Sequence, residues 1–201
     1  MTIVGVLALQ GDFAEHIALL RRLGAETREV RLPSDVSGIH GLVLPGGETT
    51  TISRLIDQYG LRDPILSMAR EGAPLWGTCA GLIAMARKTE GRDDPVLGLM
   101  DIDVERNAYG RQVDSFETEI DVPALGEARF HAIFIRAPRI QRTGPEVEIL
   151  ARLEDGTAVA VRQGALLGTS FHPELTEDPR FHAYFLRTVK EREHSSRVAA
   201  G

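Results

Sequence analysis

Apolar positions follow two rhythms along this chain, and the two alternate. "TIVGVLAL" (residues 2–9) is a continuous, β-branched apolar run of strand length, and the following "GDFAEHIALLRRLGAE" carries Phe13, Ile17 and Leu20 at helical spacing. Asp12 stands where a helix N-cap belongs, with Glu15 three residues on, and Gly24 where the C-terminal cap belongs. The unit then repeats. "TREVRL" and "GLVLP" read as strands, "TTISRLIDQYG" as a helix ending at Gly60, "DPILSMAREG" as another helix, "APLWGT" as a strand and "AGLIAMARK" as a helix. Strands apolar throughout, alternating with helices, predict a parallel sheet covered on both faces.

The texture changes after residue 95. "GLMDIDVE", "SFETEID" and "ARFHAIFIRAP" are strand-like, and "EVEILARLEDGTAVAVRQGALLGTSFHPEL" has an Asp155-Gly156 turn signal between two alternating runs, so this half is expected to be mixed or antiparallel. "DPRFHAYFLRTVKERE" predicts a last helix with Phe181, Phe185 and Val189 on one stripe, and "HSSRVAAG" a frayed tail. The expectation is a single α/β domain over residues 1–190, built as a three-layer, open, mixed and mostly parallel sheet with helices on both faces. Residues 191–201 are expected to form a flexible C-terminal tail.

Charge narrows the partners. Lysine and arginine total 23 against 29 aspartate and glutamate, and a net charge of -6 argues against the basic face that nucleic acid requires. No apolar run approaches the roughly 18 residues of a membrane span, and "MTIVGVLALQGD" lacks the basic region and cleavage site of a signal peptide. A cytoplasmic location is expected. The single cysteine, Cys79, forms neither an internal disulfide nor a Cys-x-x-Cys metal knuckle.

Cys79 sits in "GTCAG", the G-x-C-x-G form of a nucleophile elbow, between a predicted strand and a predicted helix. Small neighbours suit a strained tight turn, and a helix N-terminus favours the thiolate. A small buried cysteine packing like alanine is the alternative, so a partner is required. Of the six histidines, His16, His40, His182 and His194 read most simply as solvated or helix-capping residues, and His131 as a half-buried strand residue. His172 differs: it follows the apolar strand "ALLGTSF", with Pro173 next and Glu174 two residues on. Side chains two apart in extended backbone project to one side, so Glu174 can fix the His172 tautomer, the third role of a triad. "LVLPGGETTT" adds two glycines after a buried strand, leaving amides free to meet a developing oxyanion, and it lacks both common nucleotide-binding glycine fingerprints.

An elbow cysteine, a distal His-x-Glu and a Gly-Gly strand end resemble the class I glutamine amidotransferases, which use a Cys-His-Glu triad on an open, flavodoxin-like α/β sheet. "LALQGDFAEH", "LPGGETTT", "GTCAGLI", "VERNAYGRQVDSFE", "FIRAP" and "GTSFHPELTED" more narrowly resemble the glutaminase subunits of ribose 5-phosphate-dependent pyridoxal 5'-phosphate synthases, in order over residues 2–188. The resemblance implies Cys79 as nucleophile, His172 as general base and acid, and Glu174 as its orienting carboxylate. It implies oxyanion-hole amides at Gly47 and Ala80, and glutamine-binding positions at Gly47, Glu48, Thr49, Arg106, Ile135 and Arg136. It further implies L-glutamine as substrate, no metal and no cofactor, and the pyridoxal 5'-phosphate synthase subunit as the partner that consumes the ammonia and switches on a glutaminase poorly active alone. Exposed residues near "QGDFAEH" and around Arg106 to Ser115 are the expected docking face.

Overall fold

The computed structural model describes residues 2–90, 97–106 and 115–199. The first half folds as the alternation predicts: β1 (Ile3–Leu7), α1 (Phe13–Arg22), β2 (Glu26–Val30), β3 (Gly41–Leu44), α2 (Thr49–Gln58), α3 (Arg62–Arg70), β4 (Leu75–Thr78) and α4 (Ala80–Met85). The second half adds β5 (Ala86–Glu90), β6 (Met100–Glu105), β7 (Ser115–Ile120), β8 (Phe130–Ile135), β9 (Arg139–Thr143), β10 (Glu148–Arg152), β11 (Ala158–Gln163), β12 (Leu166–Thr169) and α5 (Arg180–Ala199).

The main sheet runs β10-β11-β12-β4-β3-β1-β2, parallel from β12 to β2 and antiparallel across β10, β11 and β12. Its strands sort their apolar side chains by parity. Val4, Val6, Val43 and Trp76 face the layer of α1, α5 and the β7–β8 hairpin, while Leu7, Leu42, Leu44 and Leu75 face α2, α3 and α4. Burial on both faces is why these strands lack a polar alternation. The order β2-β1-β3-β4 places a switch point between β1 and β3, and the loops after β1, β3, β4 and β12 leave the same sheet edge, where open α/β sheets hold their ligands. Among the described residues no helix is long and apolar enough to cross a membrane.

Three boundaries differ from the sequence expectation. The helix expected over "AGLIAMARK" stops at Met85 because Leu97 and Leu99 donate their N–H groups to the Ala84 and Met85 carbonyls (2.7 and 3.0 Å), and Ala86 onward pairs in parallel with β6. That pairing overrides the helix propensity of Ala and Lys. β9, which no apolar run announces, forms because Arg139–Thr143 pairs with the free edge of β6. At the C-terminus α5 continues as helix to Ala199, through the residues expected as a tail.

Candidate active site

Cys79 is set on its turn by contacts that leave room for nothing larger than glycine nearby. A Cβ on Gly81 would fall on the Leu44 carbonyl, and one on Gly77 would reach 2.5 Å from the Gly81 carbonyl. Strand β4, helix α4 and strand β3 therefore approach at backbone distance, and Cys79 takes φ 47° and ψ −103° at the first turn of α4. A non-glycine residue in that region costs on the order of 1–3 kcal/mol, which persists only where the surroundings impose it. The Cys79 N–H donates to the Thr169 carbonyl (2.9 Å), locking the turn to the end of β12. The thiol, 6% exposed, lies 3.9 Å from the Ile135 carbonyl, which it reaches as a weak donor.

From the next loop along that edge comes His172, whose Nδ1 is 2.7 Å from Glu174 Oε1, with both residues buried. The intervening Pro173 opens a single 3₁₀ turn, so the pair meets on a tight bend instead of the extended backbone expected. Burial opposes the charged imidazole, but hydrogen bonds with Asp12, Cys79 and Glu174 outweigh it and raise His172 to about 12. Burial in turn pushes the Glu174 carboxyl up, against the pull of His172. The dominant direction is an imidazolium held beside Cys79, the state that favours a thiolate nucleophile.

Around Cys79 and His172 opens a cavity of about 450 Å³, which Gly47, Glu48, Thr49, Arg106, Ile135 and Arg136 also line. Ala80 follows Cys79 as the first residue of α4 and is buried outside the lining. Glu48 caps α2, accepting from Thr50 N (3.2 Å) and Thr51 N (2.6 Å), with Arg106 3.5 Å away. Desolvation opposes its charge, yet the threonine hydrogen bonds and Arg106 hold its carboxyl down at about 2. Arg136 has φ 43°, and it and Cys79 are the non-glycine residues with positive φ among the described residues. Both border this cavity, where strain marks function. A separate hollow of about 280 Å³ lined by Arg139, Arg142, Arg152 and Asp155 has no cysteine and no histidine among its described lining residues.

Residues 6–191 match the SNO glutamine amidotransferase family. The chain belongs to that family. It is 58% identical over 186 residues to the pyridoxal 5'-phosphate synthase subunit PdxT of Herpetosiphon aurantiacus, covering 91% of this chain and 98% of that one. Against the PdxT of Dehalococcoides mccartyi strain ATCC BAA-2266 the identity is 55% over 190 residues, 94% and 97% of the two chains. A crystal structure of a glutamine amidotransferase superposes with a TM-score of 0.88 at 51% identity, covering 93% of this chain and 98% of that one. The sheet, its switch point and the elbow are thus those of a glutamine amidotransferase of α/β class I type.

This SNO-family site holds residues that the sequence pattern misassigned. Asp12 makes no side-chain cap to α1; its Oδ2 lies 3.5 Å from His172 Nδ1. Gln10 lines the cavity and accepts from Glu48 N at 2.8 Å, stitching the loop after β1 to the loop after β3. His16 and His182, expected as solvated or helix-capping residues, are both fully buried, His16 beside Glu174 and His182 against His16. His131 is exposed, between Glu117 and Glu119. A signal existed in "LQGDFAEH", where polar residues cluster at the mouth of a buried strand. The motif "NAYGRQVD" (residues 107–114) lies outside the described residues.

Proposed function

We propose that this chain is the glutaminase subunit of a pyridoxal 5'-phosphate synthase, hydrolysing L-glutamine to L-glutamate and ammonia with Cys79, His172 and Glu174. The observation that carries the proposal is the His172–Glu174 pair, bonded at 2.7 Å with His172 raised toward imidazolium, where His172 lines the same cavity as Cys79. The Cys79 thiolate attacks the side-chain amide carbon, and the oxyanion rests on the Gly47 and Ala80 amides. The C–N bond breaks as His172 passes its proton to the departing ammonia, leaving a γ-glutamyl thioester. His172 then takes a proton from water, which attacks the thioester, releases glutamate and returns the thiolate. Glu174 holds the ring tautomer throughout. No step calls for a metal or cofactor.

Asp12, Glu48, Arg106 and Arg136 give the cavity two carboxylates and two guanidinium groups, charges of both signs that suit a zwitterionic amino acid, with Thr49 and Ile135 beside them. The ammonia passes to a synthase subunit, a reading supported by the relatives' names, which make each of them a subunit of a pyridoxal 5'-phosphate synthase. A cytoplasmic location goes with such a role. Docking acts on the Gly46–Gly47 peptide: its carbonyl accepts from Asp12 N (3.2 Å), an anchoring that reorientation must release to complete the oxyanion hole, while the Gly46 N–H of the preceding peptide stays held by Thr78 Oγ1 (3.0 Å). Incubation with an electrophilic glutamine analogue, followed by peptide mass analysis, tests the chemistry. Selective labelling of Cys79, lost in H172A, is expected; labelling indifferent to His172 contradicts it.

A further inference from the structure

Behind the triad lie two buried histidines that the reaction as written leaves unused. His16 Nδ1 is 2.9 Å from His182 Nε2, while His16 Nε2 is 3.3 Å from both Thr78 Oγ1 and Glu174 Oε2. Trp76 stands edge-on to both rings, with centroids at 5.4 and 4.8 Å. Burial foremost lowers both histidines, aided at His16 by the charges of His182 and His172, and brings His182 to about 3. Both rings are neutral, so a single proton lies between them.

Two placements of that proton are possible, and they differ in what they strand. If His16 Nδ1 carries it, His182 keeps a buried Nδ1–H, and the bare His16 Nε2 faces the Glu174 carboxylate, lone pair against lone pair. Among the described residues His182 Nδ1 has no hydrogen-bond partner, so this placement orphans a donor. If His182 Nε2 carries it, only a bare acceptor is left over there, and His16 Nε2–H bonds Thr78 Oγ1 with Glu174 Oε2 at the same 3.3 Å distance. Orphaned buried donors are rarer than orphaned acceptors, which favours the second placement.

We infer that His16, with its tautomer set by His182, is a positioning residue whose Nε2–H holds Glu174 Oε2 and thereby the orientation of the carboxylate that orients His172. The inference rests on the triad proposed above. Glu174 Oε2 has no aligned hydrogen-bond partner among the described residues; His16 Nε2, 3.3 Å away, is a donor within reach of it, and without His16 the carboxylate would be tethered through Oε1 alone. The 3.3 Å contact is long and not aligned as a hydrogen bond, as catalytic contacts commonly are before substrate draws a site together. His16 also reaches Thr78, the residue before the nucleophile, whose Oγ1 accepts from Gly46 N. One ring therefore braces the β3, β4 and β12 loops.

Two amides separate positioning from bulk, because Gln mimics the Nε2 end of histidine and Asn the Nδ1 end. With the synthase subunit present, H16N is expected to lower kcat roughly 10–100-fold with KM little changed, the range seen when partners behind a reactive group are lost. H16Q is expected to recover most of kcat. Equal activity of the two, or a loss in KM alone, overturns the inference. In the free chain, nitrogen NMR of His16 is expected to show the Nε2–H tautomer, and the opposite tautomer overturns it even where a variant is too unstable to assay. The tautomer does not depend on the substrate: the Nε2–H form in a chain that releases no glutamate sinks the glutaminase reading, while the opposite tautomer in an active glutaminase sinks only the role of His16.

Discussion

At the residue scale, charge and burial oppose each other throughout the site. Glu174 is nearly enclosed and holds the Nδ1 side of His172 at 2.7 Å, which in the proposed reaction leaves the other nitrogen to serve Cys79. E174Q is expected to lower kcat by roughly 10³–10⁴-fold, the cost of a mis-set tautomer, while Cys79 stays accessible to a small alkylating reagent. A drop of only a few-fold in steady-state assays would remove Glu174 from the triad. The buried imidazoles behind it act on stability. Burial holds His182 at about 3 against an ordinary value near 6.5, so between those values the unfolded chain binds a proton that the folded chain refuses. Stability from that source is present above about pH 6.5 and is lost as pH falls toward 3, and His16 acts in the same direction. His172 has the opposite sign, its contribution being full below about 6.5 and lost as pH rises through about 12. Thermal unfolding should therefore show a midpoint that declines below about pH 6.5, more steeply in the native chain than in H182F; parallel declines would contradict this. Cys79, His172 and Glu174 were legible in the sequence because spacing and small neighbours announce them. His16 and His182 were not, since a histidine on an amphipathic helix reads as polar and its burial is decided by Trp76 and Glu174, far away in the chain.

At the scale of elements, the elbow is a packing arrangement before it is a catalytic one. Strand β3, strand β4 and helix α4 meet through Gly77 and Gly81, and the close approach forces the Cys79 backbone into its positive φ. G81A is expected to cost roughly 1–3 kcal/mol of stability, since backbone and not a flexible side chain must yield to the new Cβ. Denaturant unfolding reads this directly, and an unchanged midpoint would mean that the elbow is less constrained than its contacts indicate. Elements whose burial is local were readable in advance: β1, β3 and β4 are apolar runs, and α1 and α2 carry their periodic stripes. Elements defined by distant pairing were not. β9 owes its strand character to β6, the end of α4 is set by amides of Leu97 and Leu99, and the far turns of α5 continue where composition suggested fraying.

At the scale of the molecule, the sheet edge gathers four loops from positions spread between Leu9 and Glu174 and closes them around one cavity. Hydrogen bonds between the loops couple them: Glu48 N to Gln10, Asp12 N to Gly46 and Gly46 N to Thr78. A surface touching the loop after β1 can therefore act on the Gly46–Glu48 loop, where the proposed oxyanion amide of Gly47 lies, without entering the cavity. A net charge of -6 spread over a mixed surface fits a protein partner better than a polyanion. Ammonia released into solution at neutral pH is mostly protonated and lost as a nucleophile, so such a glutaminase has use only when docked. The decisive measurement is glutamate release from L-glutamine by the purified chain, with and without the pyridoxal 5'-phosphate synthase subunit, alongside C79A. Slow release that rises sharply with the synthase subunit and vanishes in C79A is predicted, whereas release that is unchanged in C79A or absent even with the synthase subunit would contradict it.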